Sequence, residues 1–371
     1  VPADNSYVPR KVYHFVQHTH TDAGWLRTMD QYYMAAVEDI LRTSSTHLHS
    51  SHGYGDKFTF ANYDFINLFM ERFPSKDQKS YLKEGVKNGS YEIINSGIAM
   101  PDQAITYFED LINNLEYGRE YGLKTFGNIS RYGWTIDNFG QSAFHARLYA
   151  ELGYESITST RIGNKIRDKL RYSKNLNLIW NHTYPEYDIF THFFSYHYDP
   201  PHPVCHIGAY EWQRILSPDW SMFDTTLSMF HSMVREYRNY NELNVLIGMG
   251  NDFQYYNYPS AQKSNLHLFY VLRSNNNSLF VNSTFLVSTV HEYYTAIKAE
   301  NLQYQPSPQE DFMPYSTIRD DLLSVWSGFY ATRPYLKYSI RTYSQWVRSI
   351  SSLIALQTVR SGRLSEYYDW T

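Results

Sequence analysis

Two histidines and an aspartate, His18, His20 and Asp22, lie within five residues of one another in the segment HTHTDAGW. Residues 12–16 before them are rich in β-branched and aromatic side chains and predict a buried strand, and residues 28–41 after them predict a helix. The cluster therefore falls at the carboxyl end of a strand, where α/β proteins build their sites. His20 and Asp22 are two residues apart, so in an extended segment they point the same way and can chelate one ion. Imidazole and carboxylate ligands suit zinc.

Two further aspartates follow predicted strands later in the chain, Asp137 in WTIDNFG and Asp252 in GMGNDFQY. Each has an ordinary structural explanation, because Asp137 precedes a predicted helix and could cap it, and Asp252 follows two glycines and could belong to a turn. A histidine pair is likewise more often structural than ligating. The shared position of all these groups at the carboxyl ends of strands in one predicted sheet favours a common site.

The chemistry that these groups predict is hydrolysis. Two carboxylates that converge beside a metal are typical of glycoside hydrolysis, in which one attacks the anomeric carbon and the other acts as acid and then as base. The same groups fit a metal-dependent hydrolase that activates water. A His-x-His segment after a first strand is also how amidohydrolase barrels begin, but those barrels need further histidines at their middle strands. The later strand ends here carry Asp137 and Asp252 instead, which favours sugar chemistry.

Strand and helix patterns alternate along most of the chain, which predicts an α/β fold with a parallel sheet covered by helices. From residue 324 the pattern changes to helical periodicity without a strand signal. We therefore expect an α/β catalytic domain over residues 1–323 and the beginning of a helical domain over residues 324–371. The predicted strands are 12–16, 58–61, 90–94, 132–136, 156–160, 176–180, 188–193, 244–247 and 279–281. The predicted helices are 28–41, one ending near residue 73, 76–87, 105–121, 141–152 and 336–356.

Composition narrows the classes of function. The chain has 371 residues, of which 43% are hydrophobic, and its net charge of −4 gives no electrostatic reason to expect a nucleic-acid partner. Its apolar runs are far shorter than a membrane span. Its first residues do not resemble a signal peptide, and a mature chain whose signal peptide had been removed would look the same. Cys205 is the one cysteine, so an intrachain disulfide is excluded. Five Asn-x-Ser/Thr sequons mildly favour the secretory pathway, at Asn88, Asn128, Asn181, Asn276 and Asn282.

Five motifs together point to a known family: HTHTDAGWLRTMDQYY, WTIDNFGQS, GMGNDFQY, DFMPYS and VWSGFYATRP. In this order they resemble the family 38 glycoside hydrolases, the class II α-mannosidases, and within these the lysosomal acid type, over residues 12–356. The resemblance implies a parallel β/α catalytic domain followed by a three-helix bundle. It also implies a zinc-assisted, retaining exo-α-mannosidase that acts on terminal α-linked mannose of N-glycan-type oligosaccharides. A lysosomal or vacuolar location, or secretion, would follow.

The resemblance implies a zinc site, a catalytic pair and a sugar pocket. The zinc ligands would be His20, Asp22 and Asp137. Asp137 would also be the nucleophile, since a carboxylate held on a metal is kept ionised and oriented, and Asp252 would be the acid/base. The residues that match positions lining the sugar pocket are Trp25, Phe139, Arg161, Tyr198 and Asp199.

Several residues depart from the family pattern. Asn138 stands where the family usually has proline and Gln141 where it usually has histidine, which permits a looser turn but removes no catalytic group. Tyr210 replaces the cysteine that usually follows Cys205, so the local disulfide is absent. The family's last zinc ligand lies in a His-His-Asp stretch beyond the Arg-Pro motif, and no such stretch follows Arg333. We therefore expect the remaining ligand to lie outside this chain.

The helical region raises a related expectation. One amphipathic helix cannot bury its apolar face alone, so Ile350, Leu353, Ile354 and Val359 would be exposed. We expect the chain to be the N-terminal fragment of a proteolytically processed enzyme, with the remainder of the same precursor present as separate chains. The alternative is a chain that simply ends early.

Two other functions stay open beside the mannosidase. A catalytically silent mannose-binding protein on the same scaffold is one, although such a protein would need neither Asp137 nor Asp252. A metal-dependent amidohydrolase or deacetylase is the other. Hydrolysis of an α-mannoside without activity on acetamides would separate the mannosidase from both.

Overall fold

Strands and helices alternate along the chain in the computed structural model, which describes residues 11–51, 55–195, 197–199, 240–259, 283–307, 310–319 and 322–362. The strands are β1 (Lys11–His20), β2 (Phe58–Ala61), β3 (Tyr91–Ile94), β4 (Tyr132–Thr135), β5 (Ser156–Ser159), β6 (Asn177–Trp180), β7 (Ile189–Phe193), β8 (Asn244–Asp252), β9 (Ser283–Val287), β10 (Pro306–Ser307), β11 (Ser316–Arg319) and β12 (Leu322–Val325). The α-helices are α1 (Met29–Tyr32), α2 (Glu38–Ser50), α3 (Asp64–Arg72), α4 (Lys76–Asn88), α5 (Phe108–Phe126), α6 (Ala143–Glu151), α7 (Asn164–Tyr172), α8 (Val290–Ala299), α9 (Gly328–Ala331) and α10 (Pro334–Ser361). A π-helical segment, Tyr33–Val37, joins α1 to α2, and a 3-10 turn, Pro185–Tyr187, precedes β7.

Ten of these strands form two five-stranded sheets. The first has the order β3-β2-β1-β8, with β9 paired to the first half of β1, and all its pairings are parallel. The second has the order β10-β6-β7-β5-β4, in which β6 runs antiparallel to β7 and the other pairings are parallel. Strands β11 and β12 form a separate antiparallel hairpin.

The two sheets share a core. One buried cluster joins Val16 of β1 and Ile94 of β3, from the first sheet, with Trp134 of β4, from the second. Tyr13 and Phe15 of β1 pack into a different buried cluster, as the two-residue alternation of a strand requires. Strands that are buried on both faces are characteristic of parallel sheets covered by helices.

A buried asparagine joins the sheets where β3 and β4 meet. Asn95 follows β3 with a φ of 70°, a left-handed conformation that asparagine tolerates. Its backbone N–H donates to the carbonyl of Tyr132 over 3.1 Å, and its Oδ1 accepts from the N–H of Trp134 at 2.9 Å. Its Nδ2 donates to Oδ1 of Asn62, the residue after β2, at 2.8 Å. These bonds tie the carboxyl ends of β2 and β3 in the first sheet to Tyr132 and Trp134 of β4 in the second.

Local sequence signals fix several helix ends. Thr28 and Thr289 each accept a hydrogen bond within a capping box, at the starts of α1 and α8. Helix α10 begins with Pro334 at its first position and ends at Gly362, whose φ of 70° is the usual left-handed cap.

Helix α10 carries many exposed apolar side chains. Ile350, Leu353, Ile354 and Val359 are between 42% and 66% exposed, which confirms the predicted exposure. The polar contacts that link this helix to α5 are few, such as the hydrogen bond from Ser344 Oγ to Asp110 Oδ1 at 2.8 Å. Among the described residues, no helix is both long enough and apolar enough to cross a membrane.

The predicted α/β fold with parallel strands is confirmed, with five corrections. The strands belong to two sheets rather than one, and β6 is antiparallel to its neighbour. β1 and β8 continue beyond the predicted strands 12–16 and 244–247, and the predicted helix 28–41 is three helical segments that reach Ser50. The hairpin of β11 and β12 has no predicted counterpart. The predicted strand 279–281 lies outside the described residues, and the division into domains at residue 324 and the helical bundle stay predictions.

Candidate active site and metal centre

The site lies where β1, β4 and β8 end. His20 and Asp252 are the last residues of β1 and β8, and they are register partners on these adjacent parallel strands. Asp137 stands two residues beyond the end of β4, in the second sheet. The sequence therefore placed these groups correctly at strand carboxyl ends, but they come from two sheets rather than from one.

Three predicted ligands meet at one point. His20 Nε2 lies 3.5 Å from Asp22 Oδ1 and 3.4 Å from Asp137 Oδ2, and the ligand atoms of all three residues lie within 4.8 Å of one another. The distances are long for hydrogen bonds, and the buried Nε2 has no hydrogen-bond partner. Ligands held about 2.1 Å from a tetrahedral ion lie about 3.4 Å apart. The spacing and the donor set of one nitrogen and two oxygens therefore fit zinc.

The electrostatics of this group favour a cation. Burial alone would lower the pKa of His20, but the carboxylates of Asp137 and Asp22 outweigh it and raise the pKa to about 10. Without a metal the imidazole thus holds a proton between two anions. A metal ion that binds His20 must displace that proton, so its affinity is expected to rise with pH.

Arg161 holds the other side of Asp137. Its Nε and Nη2 lie 2.7 and 2.5 Å from Asp137 Oδ1, so one carboxylate oxygen faces the arginine while Oδ2 faces His20. Burial raises the pKa of Asp137, but His20 and Arg161 outweigh this and lower the pKa below its usual value. Asp137 is therefore ionised at neutral pH and fixed in orientation, as a nucleophile must be.

Tyr198 connects the two carboxylates of the predicted catalytic pair. Its hydroxyl donates to Asp252 Oδ1 at 2.7 Å and lies 3.5 Å from Asp137 Oδ1. These two oxygens are therefore no farther apart than the sum of the two distances, about 6.2 Å. Burial and the two carboxylates raise the pKa of Tyr198 far above its usual value, so the hydroxyl stays a donor.

His18 supports this arrangement from within β1. Its Nε2 donates to the carbonyl of Tyr198 at 3.1 Å, and burial lowers its pKa to about 4, so the ring is neutral. Gly248 and Gly250 on β8 leave room for it, because a Cβ at Gly250 would overlap the carbonyl of His18 and lie 2.7 Å from its Nδ1. These glycines are strand residues and not the turn that their sequence suggests. Of the two histidines in the opening motif, His20 faces the metal centre and His18 positions Tyr198.

The turn after Asp137 is anchored. Gln141 accepts from Thr135 Oγ1 at 3.0 Å and donates to the carbonyl of Asn138 at 3.2 Å. The buried Asn138 donates from Nδ2 to the carbonyl of Pro101. These bonds anchor the turn although proline and histidine are absent, and a looser turn stays a prediction.

The remaining predicted pocket residues divide into two groups. Phe139 lies beside Arg161, whose guanidinium carbon is 5.1 Å from the ring centroid. Asp199 lies 3.3 Å from His197 Nδ1 and Trp25 is 65% exposed, and neither contacts the ligand cluster.

Two residues of the site were not predicted individually. Tyr315 and Trp326 complete an aromatic group around Arg161, with ring centroids 5.5 and 5.6 Å from its guanidinium carbon. They belong to the motifs DFMPYS and VWSGFYATRP, which was the one signal available for them.

Comparison with known proteins supports a glycosidase. A family profile described as the N-terminal domain of glycosyl hydrolases family 38 matches residues 11–318. Alpha-mannosidase F of Dictyostelium discoideum is 30% identical over 93% of this chain and 34% of its own length. Lysosomal alpha-mannosidases of Dictyostelium discoideum and Bos taurus are 29% and 26% identical over 92% of this chain. The chain spans about a third of the length of these relatives.

A solved structure shares the fold. The crystal structure of an alpha-mannosidase from Enterococcus faecalis superposes with a TM-score of 0.59 at 17% identity, over 82% of this chain and 31% of that one. At this identity the likeness supports the architecture, and the chemistry must be argued from the residues described above.

Proposed function

Since the chain belongs to family 38 of the glycosyl hydrolases, the class II α-mannosidases, we propose that it carries the catalytic site of a retaining exo-α-mannosidase. The substrate would be terminal α-linked mannose on N-glycan-type oligosaccharides. The amidohydrolase alternative loses its support, because its case rested on the opening motif alone. The silent mannose-binding alternative is disfavoured by the ionised and oriented state of Asp137.

The observation that supports a retaining mechanism is the short distance between the carboxylates of Asp137 and Asp252. Retaining glycosidases place their two carboxyl groups about 5–5.5 Å apart, whereas inverting enzymes need roughly 6.5–9.5 Å to admit a water. The shared hydroxyl of Tyr198 limits the separation of two of their oxygens to about 6.2 Å. For these two oxygens that limit lies below the separation that an inverting enzyme needs, which supports the retaining arrangement.

The two carboxylates would act in sequence. Asp137 would attack the anomeric carbon and form a bond to it, while the bond to the leaving oxygen breaks and Asp252 gives that oxygen a proton. Water would then attack the same carbon, with Asp252 taking a proton from the water and Asp137 leaving as carboxylate. The exposed strand-end position of Asp252 suits a group that exchanges protons with solvent.

His20, Asp22 and Asp137 are the residues that would hold zinc. A bound zinc would supply Lewis-acid contacts to the mannose hydroxyls and keep the nucleophile ionised. Three protein ligands are the usual number in catalytic zinc sites, which leave a position for water or substrate. A further protein ligand from outside this chain stays a prediction.

The proposal extends to the cellular location of the protein. Relatives named as lysosomal enzymes and the exposed sequons support a lysosomal or vacuolar location, or secretion, and a glycosylated protein. Companion chains from the same precursor stay a prediction. The exposed apolar surface of α10 is where such a chain would bind.

Hydrolysis of an aryl α-mannoside by the full-length enzyme, followed by proton NMR, tests the proposed function. We expect the first sugar released to be α-mannose, activity to be lost on chelation, and zinc to restore it. Release of β-mannose first would contradict the role of Asp137, and full activity in metal-free protein would contradict the metal centre. Binding without turnover would identify a silent lectin.

A further inference from the structure

A cleft opens beside the metal centre, between α3 and α5. It encloses about 570 Å³, within the roughly 300–1,000 Å³ typical of small-molecule sites. Ala23, the neighbour of the zinc-ligand candidate Asp22, lies on its wall. The polar and aromatic side chains that line it are Tyr63, Asp64, Asn67, Tyr117, Glu120, Tyr121 and Lys124.

The cleft belongs to the catalytic edge of the molecule. Tyr63 and Asp64 follow the carboxyl end of β2, and Ile98 and Ala99, which also line the cleft, follow that of β3. The backbone N–H of Asp64 donates to the carbonyl of Ile98 at 2.9 Å and ties the two segments together. Helix α5 closes against them, because a Cβ at Gly122 would overlap the hydroxyl of Tyr63. A second cleft of about 360 Å³, which includes Arg131, lies at the opposite edge.

Asp64 is the first residue of α3 and carries a buried carboxyl group. The side chain is 9% exposed, and its Oδ1 accepts from the N–H of the next residue, Phe65, at 2.7 Å. No cationic side chain pairs with it in the described part of the chain. Burial raises its pKa to about 7, although its hydrogen bonds and the charge of His20 act in the opposite direction. A buried carboxyl group without a cationic partner is costly to ionise, and one that lines a cleft is suited to bind a ligand.

The cleft's chemistry matches a sugar. A carboxyl group and the amide of Asn67 offer acceptors and donors to hydroxyls, each of which both donates and accepts. The ring of Tyr117 is 51% exposed and presents an apolar face on which a pyranose can stack. Glu120 adds a second acceptor on the same turn of α5.

We propose that this cleft is a binding subsite for the sugar residues that follow the cleaved mannose, with Asp64 as hydrogen-bonding partner of their hydroxyls and Tyr117 as stacking platform. The proposal rests on the mannosidase function, since it assigns the leaving part of the same substrate to a place on the enzyme. It makes Asp64 a determinant of oligosaccharide specificity without a part in bond cleavage.

The test compares two substrates in the full-length enzyme, a mannose oligosaccharide and an aryl α-mannoside that is too short to reach the cleft. Asp64→Leu replaces the carboxyl group by a larger, apolar side chain and removes its hydrogen bonds, so we expect kcat/KM for the oligosaccharide to fall roughly tenfold, mainly through KM. Asp64→Asn should recover part of this loss, and Tyr117→Ala should reproduce it. Hydrolysis of the aryl mannoside should be unchanged in all three variants.

Matched controls separate a binding role from a general effect. Asp77→Asn changes an exposed carboxylate in the first turn of α4, and Tyr172→Ala removes an 80% exposed tyrosine from α7, so neither should alter either substrate. An unchanged ratio of kcat/KM for the two substrates in Asp64→Leu and Tyr117→Ala would overturn the subsite.

Saturation-transfer NMR with the oligosaccharide separates the subsite from the mannosidase function. Contact of the wild-type protein with the reducing-end sugars, lost in Asp64→Leu, would support the subsite even if the wild-type enzyme cleaved neither substrate. No contact in the wild-type protein would overturn the subsite and leave the mannosidase function to be judged on the aryl mannoside alone.

Discussion

At the scale of single residues, substitutions of the two proposed catalytic carboxylates are expected to have different effects. Asp137→Ala should abolish turnover and weaken zinc binding, because under the proposed mechanism this side chain both attacks the sugar and belongs to the candidate metal cluster. Asp252→Ala should leave the zinc content intact, since Asp252 contacts Tyr198 rather than the cluster. Loss of an acid catalyst slows poor leaving groups most, so turnover of an alkyl mannoside should fall by roughly 10²–10⁴, and that of an activated aryl mannoside by less.

Zinc analysis beside the kinetics checks this division of roles. Equal losses on alkyl and aryl substrates, together with a fall in zinc content of Asp252→Ala, would show that Asp252 belongs to the metal centre instead. The tyrosine between the two carboxylates makes the distinction sharp, because it separates the acid from the metal cluster by one side chain.

The raised pKa of Asp64 predicts how the stability of the protein depends on pH. Its pKa is raised from an ordinary value of 3.8 to about 7 in the folded protein, so the folded state binds the proton more tightly than the unfolded chain does. The contribution of this group to stability is therefore complete below about pH 4 and is lost as the pH rises to about 7. Each tenfold change in proton affinity corresponds to about 1.4 kcal/mol, so the effect reaches a few kcal/mol at most.

Urea unfolding at pH 5 and pH 8 measures this contribution. We expect Asp64→Asn to reduce the loss of stability between the two pH values and to be more stable than the wild-type protein at pH 8. Asp77→Asn, which changes an exposed carboxylate, should follow the wild-type curve. Parallel curves for Asp64→Asn and the wild-type protein would mean that the carboxyl group is solvated and not desolvated as its burial indicates.

At the scale of secondary-structure elements, the carboxyl end of β8 could not be predicted from the sequence. The segment GMGND is rich in glycine and asparagine, which are typical of turns, yet β8 continues through it to Asp252. Gly250 is required there by the close approach of His18 on β1. Gly250→Ala should displace His18 and with it the carbonyl of Tyr198 that His18 binds, lowering both the melting temperature and kcat. We expect a cost of roughly 1–3 kcal/mol or more, as for other insertions into a packed interior.

Gly328→Ala is the matched control for this prediction. Gly328 begins α9 with an ordinary φ, and an added Cβ would meet no atom within 4 Å. Thermal unfolding and aryl mannoside hydrolysis should both be near wild type in that variant. If Gly250→Ala behaved like Gly328→Ala, strands β1 and β8 could move apart without loss of stability, and His18 would not position Tyr198.

Hydrophobic periodicity predicted the existence of most strands and helices but not the ends of β1 and β8. The apolar run of β1 stops near Val16, and the polar residues that follow it are buried because β8 and β2 pair with them on either side. Long-range pairing of this kind leaves no local signal. The same limit explains the ligand cluster, since Asp137 was identifiable as a candidate but its contact with His20 depends on how two sheets meet.

The junction between the two sheets at Asn95 could not be predicted from the sequence for a related reason. Asn95 joins the two sheets through the hydrogen bonds of its side chain and through its left-handed backbone conformation. The neighbouring residues in the sequence do not distinguish it from a surface asparagine. Arg161 and Tyr198 were identified by resemblance alone, because neither stands in a pattern that predicts chemistry. The aromatic group around Arg161 depends on the hairpin region after Phe312, for which no strand was predicted.

At the scale of the whole molecule, the strands give it two opposite edges with different properties. The carboxyl ends of the parallel strands carry the carboxylates, the metal cluster and the proposed subsite. The amino ends of β3 and β4 carry two sequons instead, because Asn88 is the last residue of α4 and Asn128 follows α5, directly before those strands. Both asparagines are exposed. Glycans at these positions would therefore cover the edge opposite to the site and leave substrate access free.

Glycan occupancy should follow this geometry. In protein expressed through a secretory host, we expect Asn88 and Asn128 to be glycosylated and Asn181 to be largely unmodified, because its amide oxygen is buried without a hydrogen-bond partner and a glycan would have to disrupt that packing. Enzymatic release of glycans in heavy-oxygen water, followed by peptide mass spectrometry, gives the occupancy of each site. Asn276 and Asn282 lie outside the described residues, and we make no prediction for their occupancy.

Since the two glycans lie at the edge away from the carboxylates, Asn88→Gln and Asn128→Gln should lower solubility without changing kcat/KM. A modified Asn181 with bare Asn88 and Asn128, or a changed kcat/KM in either glutamine variant, would contradict the separation of the two edges.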